Sequence, residues 1–262
     1  MGTSYPSLTM PDENCKICGG SGWKIIERGG LSGAERCECS FAARNAAIKE
    51  NSRIPLNYQQ ASFDNFLLPQ DNPLARASLG KVLLEVKGFV REYPAVDRPG
   101  LLLIGEPGSG KTHLAVAAMR ALLEKGHEGV FFDYQNLLDK IRSGYDAASG
   151  ASDRAAYREA LEAPVLLLDD LGAHRVTEWV EDTVTSIITD RCNNRKTLIA
   201  TSNLPDPDVT GAMIEYTGAG GVAVHRKTLG EMIGARARSR LFEMCRVVRM
   251  PAVEDYRVKR GR

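Results

Sequence analysis

The segment Leu101-Leu102-Leu103-Ile104-Gly105-Glu106-Pro107-Gly108-Ser109-Gly110-Lys111-Thr112 constrains the fold of this chain more than any other. It sets G-x-x-x-x-G-K-T between a continuous apolar run and a helix-forming stretch, Leu114 to Leu123. An apolar run of this kind, introduced by Pro99-Gly100, reads as a strand buried on both faces of a parallel sheet. Glycines let the backbone close around phosphate oxygens, whose charge is met by loop N–H groups and by the N-terminus of the following helix. In this setting Lys111 is placed to neutralise β- and γ-phosphates, and Thr112 to offer its hydroxyl to Mg²⁺. The nucleotide-contacting stretch is read as Gly105, Glu106, Pro107, Gly108, Ser109, Gly110, Lys111, Thr112 and His113. A chance glycine-rich turn explains the motif poorly, because the strand and helix it requires are both present.

The rest of the chain supports a βα alternation. Leu74, Leu79, Val82, Leu83, Val86, Phe89 and Val90 recur at helical spacing, and that helix is expected to end before Tyr93-Pro94. Gly129-Val130-Phe131-Phe132, Val165-Leu166-Leu167-Leu168 and Thr197-Leu198-Ile199-Ala200-Thr201 read as further strands, with a helix over residues 177–194 before the last of these. Arg246 to Met250 supplies a final strand. The expected fold is a three-layer α/β sandwich on a parallel sheet.

Two carboxylates, Asp169 and Asp170, end the Val165–Leu168 strand. Ligands in open parallel sheets bind at the carboxyl ends of the strands. Asp169 is assigned to the Mg²⁺ shell with Thr112, and Asp170 to the attacking water. Asn203, after the next strand, is placed to hydrogen-bond the γ-phosphate or that water. The bland reading makes these turn residues; their order after a phosphate loop favours the functional one.

Arg236, Arg238 and Arg240 lie in Gly234 to Phe242. If helical, Arg236 and Arg240 share a face. Composition alone makes this a solvated basic face; the alternative is an arginine that neutralises charge on a γ-phosphate, supplied by a neighbouring subunit.

The 34 basic and 33 acidic residues leave a formal net charge of +1. Nucleic-acid binding therefore cannot follow from total charge and would need a local patch. No apolar run suits a membrane span, and Met1 to Asn14 has no basic start followed by an apolar stretch. The expected location is the cytoplasm, with no membrane partner.

Four of the six cysteines fall within residues 15–39. In a reducing compartment such a cluster is more often a metal site than a pair of disulfides. Cys15-x-x-Cys18 with Cys37-x-Cys39 suits a tetrahedral Zn²⁺ held by four thiolates, and the metal would supply most of the folding energy of so small a module. An iron–sulfur cluster and redox-active thiols remain open on ligand count. Cys192 and Cys245 read as buried core cysteines. The domains are taken as a zinc-binding module over residues 1–45, a linker over 46–72, and the nucleotide-binding domain over 73–262.

In this order, the phosphate loop, Leu166-Leu167-Leu168-Asp169-Asp170-Leu171-Gly172, Thr201-Ser202-Asn203 and Ser239-Arg240-Leu241 resemble the AAA+ core of bacterial DnaC/DnaI helicase loaders and the related ATPase subunits of insertion-sequence transposases. Phe63-Asp64-Asn65-Phe66 resembles that family's entry segment, and Glu254-Asp255-Tyr256-Arg257 its short ending. The resemblance spans roughly residues 60–257, whereas residues 206–232 are longer and richer in glycine than its pattern.

The resemblance implies an ATPase using ATP and Mg²⁺, lacking the helical lid of most AAA+ proteins, that binds the replicative helicase and places it on single-stranded DNA. It implies Arg240 acting in trans, assisted by Arg236, and hence self-association. The cysteine segment resembles the N-terminal zinc modules of some DnaI-like loaders, where the module serves helicase binding. Single-stranded DNA contacts are expected from Tyr134 to Ala148, with Lys140, Arg142 and Tyr145, and from the basic tail Arg257 to Arg262. Two rival readings stand beside the loader: a transposition helper ATPase, and a nucleotide-switched scaffold with little turnover.

Overall fold

A computed structural model describes residues 12–28, 31–143, 154–210, 216–217, 223–224 and 226–256. The chain opens with an antiparallel hairpin, β1 (Trp23–Arg28) and β2 (Leu31–Arg36), followed by α1 (Glu38–Asn51). A 3-10 turn at Leu56–Tyr58 precedes α2 (Pro73–Glu92), β3 (Gly100–Ile104) and α3 (Lys111–Glu124). Then come β4 (Gly129–Asp133), α4 (Tyr134–Ser143), α5 (Arg154–Glu162), β5 (Val165–Asp169), α6 (Glu178–Asn193) and β6 (Thr197–Ser202). The last elements are α7 (Pro207–Thr210), the short pair β7 (Tyr216–Thr217) and β8 (Ala223–Val224), α8 (Leu229–Ile233), α9 (Ala235–Met244) and β9 (Cys245–Arg249).

The central sheet has five parallel strands in the order β4-β5-β6-β3-β9. Alternate side chains of a strand face opposite sides, and here both sides are covered. Leu102 and Ile104 enter one apolar cluster with Leu137, Val184, Ile188 and Leu241, contributed by α4, α6 and α9. Leu101 and Leu103 enter the other with Val86, Phe89, Leu114 and Leu122, from α2 and α3. That is why β3 is apolar at every position, and it makes the three-layer α/β sandwich expected from the sequence. No helical bundle follows β9 among the described residues.

Local chemistry sets the helix starts. Asn72 Oδ1 accepts the Ala75 N–H at 2.9 Å while Pro73 fills the first turn of α2. Thr177 caps α6 through the Val180 N–H, and Thr228 with Glu231 forms a reciprocal capping box on α8. α3 has no side-chain cap. Its first N–H groups are left to the loop before it, which is what an anion site requires.

Residues 46–72, read as a linker, are laid against the sandwich. Ile48 and Ala61 are buried in the α2–α3 cluster, and the Ser52 carbonyl accepts the Phe131 N–H at 2.8 Å. Arg120 of α3 donates to the Ala61 carbonyl at 2.6 Å. Ile54, Tyr58, Phe63, Phe66 and Leu68 also pack against that cluster.

Arg191 of α6 has its side chain fully inside the fold. It donates to the carbonyls of Ala160 at 2.8 Å, Ala163 at 2.9 Å and Pro164 at 3.3 Å, and so ties α6 to the turn that enters β5. Burial pushes its guanidinium down to about 10, which leaves it charged at neutral pH.

Candidate nucleotide-binding site

The phosphate loop leaves β3 and enters α3, at the carboxyl edge of the sheet. Gly105 N–H donates to the Ser202 carbonyl at 3.2 Å, so the loop starts tied to the end of β6. Ser109 Oγ and Lys111 Nζ both donate to the Glu106 carbonyl, at 2.7 and 2.8 Å, closing the loop on itself. Gly108 and Gly110 have φ of +74° and +94°, a region costly to residues with a Cβ. A Cβ on Gly110 would meet the Phe66 ring at 2.6 Å, and one on Gly108 would meet the Asp255 carboxylate carbon at 2.1 Å. The loop is thus embraced by the Phe63–Phe66 segment on one side and by the Asp255–Tyr256 segment on the other. The Tyr256 N–H donates to the Gly108 carbonyl at 3.3 Å. Pro107 lies within the loop, between Glu106 and Gly108. His113 turns towards the entry segment, with Nε2 donating to the Ser62 carbonyl at 2.9 Å and its ring 5.5 Å from Phe66.

The acidic strand end comes to the same edge. Asp169 accepts from Thr201 Oγ1 at 2.7 Å and from the Thr112 hydroxyl. The two residues assigned to Mg²⁺ therefore touch. Burial raises the Asp169 carboxyl above its usual range; the Thr201 and Thr112 hydroxyls oppose this, and nearby Asp170 and Asp133 add to it. Such a carboxylate gains from a cation, so hard oxygen donors and an unmet charge fit Mg²⁺. Asp170 stands at a φ of +58°, its N–H bonded to Thr201 Oγ1 at 2.9 Å, and its carboxylate accepts from Asn203 Nδ2. Thr201, in β6, thereby holds both aspartates.

The arginine cluster is helical, in α9, and its members have different fates. Arg238 is drawn inward: Nε and a terminal nitrogen bind the fully buried Asp206, each at 2.6 Å, with Asp208 beside them. Its guanidinium lies over Phe242. Arg236 and Arg240 are exposed, one turn apart, and Arg240 pairs with Glu243 at 2.7 Å. Residues 206–232 contribute α7, β7–β8 and the capped start of α8. They also contribute Arg226, which sequence reasoning did not single out. Its fork binds the Glu106 carboxylate at 2.6 and 3.1 Å and the Asn203 carbonyl at 2.9 Å. An isolated arginine in a glycine-rich stretch carries no motif, and its partner lies 120 residues away.

At the other end of the chain, the four thiols of Cys15, Cys18, Cys37 and Cys39 have their sulfurs within 4.8 Å of one another and form no disulfide. Sulfur separations of 3.7 Å (Cys15–Cys37) and 3.4 Å (Cys18–Cys39) approach the edge of about 3.8 Å implied by tetrahedral Zn–S bonds of about 2.3 Å. At Cys18, burial works against ionisation, but the Gly22 N–H, the Cys39 and Cys15 thiols and the Gly20 N–H together hold it down to about 6. Burial and its thiol neighbours push Cys39 up to about 12. The Cys18 thiolate forms readily while Cys37 and Cys39 resist ionisation, as expected of a cluster whose charge a dication would meet. The donor set is compatible with Zn²⁺.

Of the DNA-contact candidates, Lys140 lies over Phe132 and Arg142 over Trp179, at 5.8 and 4.8 Å from the ring centres. Tyr145 and Arg257 to Arg262 fall outside the described residues. No helix of the described residues is long and apolar enough to cross a membrane.

Comparison with known proteins agrees with this geometry. Residues 94–210 match the family described as "IstB-like ATP binding protein". The chain is 31% identical over 183 residues to Rv3427c of Mycobacterium tuberculosis (strain ATCC 25618 / H37Rv), named as an ATP-binding protein in an insertion sequence; the match covers 65% of this chain and 68% of that one. It is 26% identical over 177 residues to YqaM of Bacillus subtilis (strain 168), covering 65% of this chain but 55% of that protein's length. The crystal structure of the DnaC helicase loader superposes with a TM-score of 0.57 at 28% identity, covering 75% of this chain and all of that one. With the phosphate loop, the acidic strand end and the parallel sheet in their family order, the chain belongs to the IstB/DnaC-type family of AAA+ ATP-binding proteins.

Proposed function

We propose that this chain is a Mg²⁺-dependent ATPase that loads a replicative helicase onto single-stranded DNA. The observation that carries the reading is the convergence of Thr112, Asp169, Thr201, Asp170 and Asn203 in one hydrogen-bonded array beside the phosphate loop. Lys111 and the α3 N-terminus would hold the β- and γ-phosphates. Mg²⁺, held by Thr112 and Asp169, would neutralise charge on them. Asp170, positioned by Asn203 and by its own constrained backbone, would orient and polarise the attacking water. Arg240 would reach the γ-phosphate of a neighbouring protomer, with Arg236 assisting. This implies an assembly formed with ATP and partner, and it requires the Arg240–Glu243 pair to open. That pair is half exposed, so opening it costs little.

The cysteine module would hold Zn²⁺ and serve as the partner-binding end. Ile17, Trp23, Ile25 and Phe41 are all exposed there, a surface suited to docking. Hydrolysis measured with and without single-stranded DNA, and capture of a replicative helicase by the full chain, test the reading together. Loss of turnover in Lys111→Ala and in Asp169→Ala is expected. Full activity of Asp169→Ala would remove the metal assignment, and failure of the full chain to bind helicase would overturn the loader role. The insertion-sequence relative supports a second reading, a transposition helper; it predicts binding to duplex DNA and a transposase instead.

A further inference from the structure

The guanidinium of Arg226 joins two parts of the site through side-chain donors, beside the backbone bond from Gly105 to Ser202. On one side it grips both carboxylate oxygens of Glu106, the second residue of the phosphate loop; on the other it donates to the carbonyl of Asn203, whose amide holds Asp170. A fork of two parallel N–H donors matches a phosphate as well as a carboxylate. The Glu106–Arg226 pair is wet, with side-chain exposures of 47% and 28%, so its own worth is small and solvent competes for it. A γ-phosphate is a more highly charged acceptor than one carboxylate, and an exchange of partners would run towards the nucleotide.

We propose that Arg226 is the residue by which this chain tells a triphosphate from a diphosphate. Glu106 holds the guanidinium in waiting at the loop, and a γ-phosphate reaching Asn203 takes it over. A β-phosphate is seated deeper, against Lys111 and the loop N–H groups, and makes no such claim on it. The exchange also carries the nucleotide state outward, because Arg226 lies two residues before the Thr228 cap of α8, which leads directly into the arginine helix α9. The inference rests on the reading of this loop as an ATP site and adds to it the residue that sets ATP over ADP.

The test is the pair of dissociation constants for ATPγS and ADP, both with Mg²⁺, in the full chain and in Arg226→Ala, Arg226→Lys and Glu106→Gln. Loss of one charge-assisted bond pair predicts that Arg226→Ala weakens ATPγS about tenfold or more, with ADP changed less than about twofold. Arg226→Lys should restore part of the preference, since a point charge remains without the fork. Glu106→Gln releases the guanidinium and should raise the ATPγS-to-ADP preference. If Arg226→Ala weakens both nucleotides equally while lowering the unfolding midpoint, the pair is a strut and the inference fails. It fails equally if neither constant moves. A wild-type chain that binds neither nucleotide would instead remove the ATP reading itself, a result distinct from an unchanged ratio.

Discussion

The hydroxyl of Thr201 donates to the carboxylate of Asp169 at 2.7 Å and accepts the backbone N–H of Asp170 at 2.9 Å. One side chain of β6 thus holds the carboxylate of Asp169 and the backbone of Asp170, the two aspartates to which the proposed mechanism gives different duties. Thr201→Val keeps the shape and removes both bonds. A bond to a charged group is worth about 1.5–3 kcal/mol, so turnover should fall about tenfold or more. The hydroxyl lowers the Asp169 pKa against the effect of burial, so its loss raises that pKa further. Since the ionised carboxylate is the form that would hold Mg²⁺ in the proposed mechanism, the acidic limb of the pH–rate profile should move to higher pH. An acidic limb that stays in place or moves down would count against Thr201 as the residue that tunes Asp169.

Arg240 and Lys111 should complement in mixtures. Arg240→Ala should leave the binding of ATPγS to a lone protomer unchanged and should abolish stimulated hydrolysis. Mixed with Lys111→Ala protomers, which keep Arg240 but bind no nucleotide, it should recover part of that hydrolysis. Absence of recovery at any mixing ratio would show that Arg240 does not work across a subunit boundary.

Gly108→Ala puts a methyl group at a φ of +74° and into the Asp255 carboxylate. The backbone strain alone costs about 1–2 kcal/mol, and the C-terminal segment must also shift. Nucleotide affinity should drop by more than tenfold, with the unfolding midpoint only slightly lowered. Adding Asp255→Ala should relieve the clash and not the strain, giving partial recovery in calorimetric titration.

The thiol cluster predicts a local dependence on metal. Freshly purified protein should hold close to one zinc by atomic absorption; less than about half an equivalent would refute the site. Cys18→Ser should release metal and helicase binding together. It should leave nucleotide affinity unchanged, because the cluster and the phosphate loop share no residue.

Arg191→Leu should destabilise the fold without touching the site. It leaves the carbonyls of Ala160 and Ala163 without their buried donor, each worth about 1–3 kcal/mol when unmet, while Pro164 keeps the Thr197 N–H at 3.2 Å. After local adjustment a net loss of about 3 kcal/mol is expected, read from the urea midpoint at unchanged m-value. A shift below about 0.5 kcal/mol would mean that water replaces the guanidinium.

Local sequence determined the parts of this protein that obey short-range rules. The apolar run of β3, the glycines and Lys111 of the loop, and Asp169-Asp170 at the end of β5 are each legible in a dozen residues, because strand burial, helix starts and phosphate chemistry act over that distance. The order of these motifs was enough to name the three-layer sandwich. The hairpin β1–β2 offers no apolar face to read, since Ile25 and Trp23 are exposed; α5 is only nine residues long, and its core face rests on the small side chains Ala156 and Ala160, flanked by Tyr157 and Leu161. Helical spacing put Arg236 and Arg240 on one face of α9 but left the partners of the three arginines open. Tertiary structure separated them, because the buried carboxylate of Asp206 captures Arg238 and leaves Arg236 and Arg240 at the surface. It also decided the partner of Arg226, since a charge finds its counter-charge through space and Glu106 is distant in the chain. The phosphate loop was readable by itself; what embraces it, namely Phe66, Asp255 and Arg226, depended on the folded chain bringing three remote segments to one sheet edge.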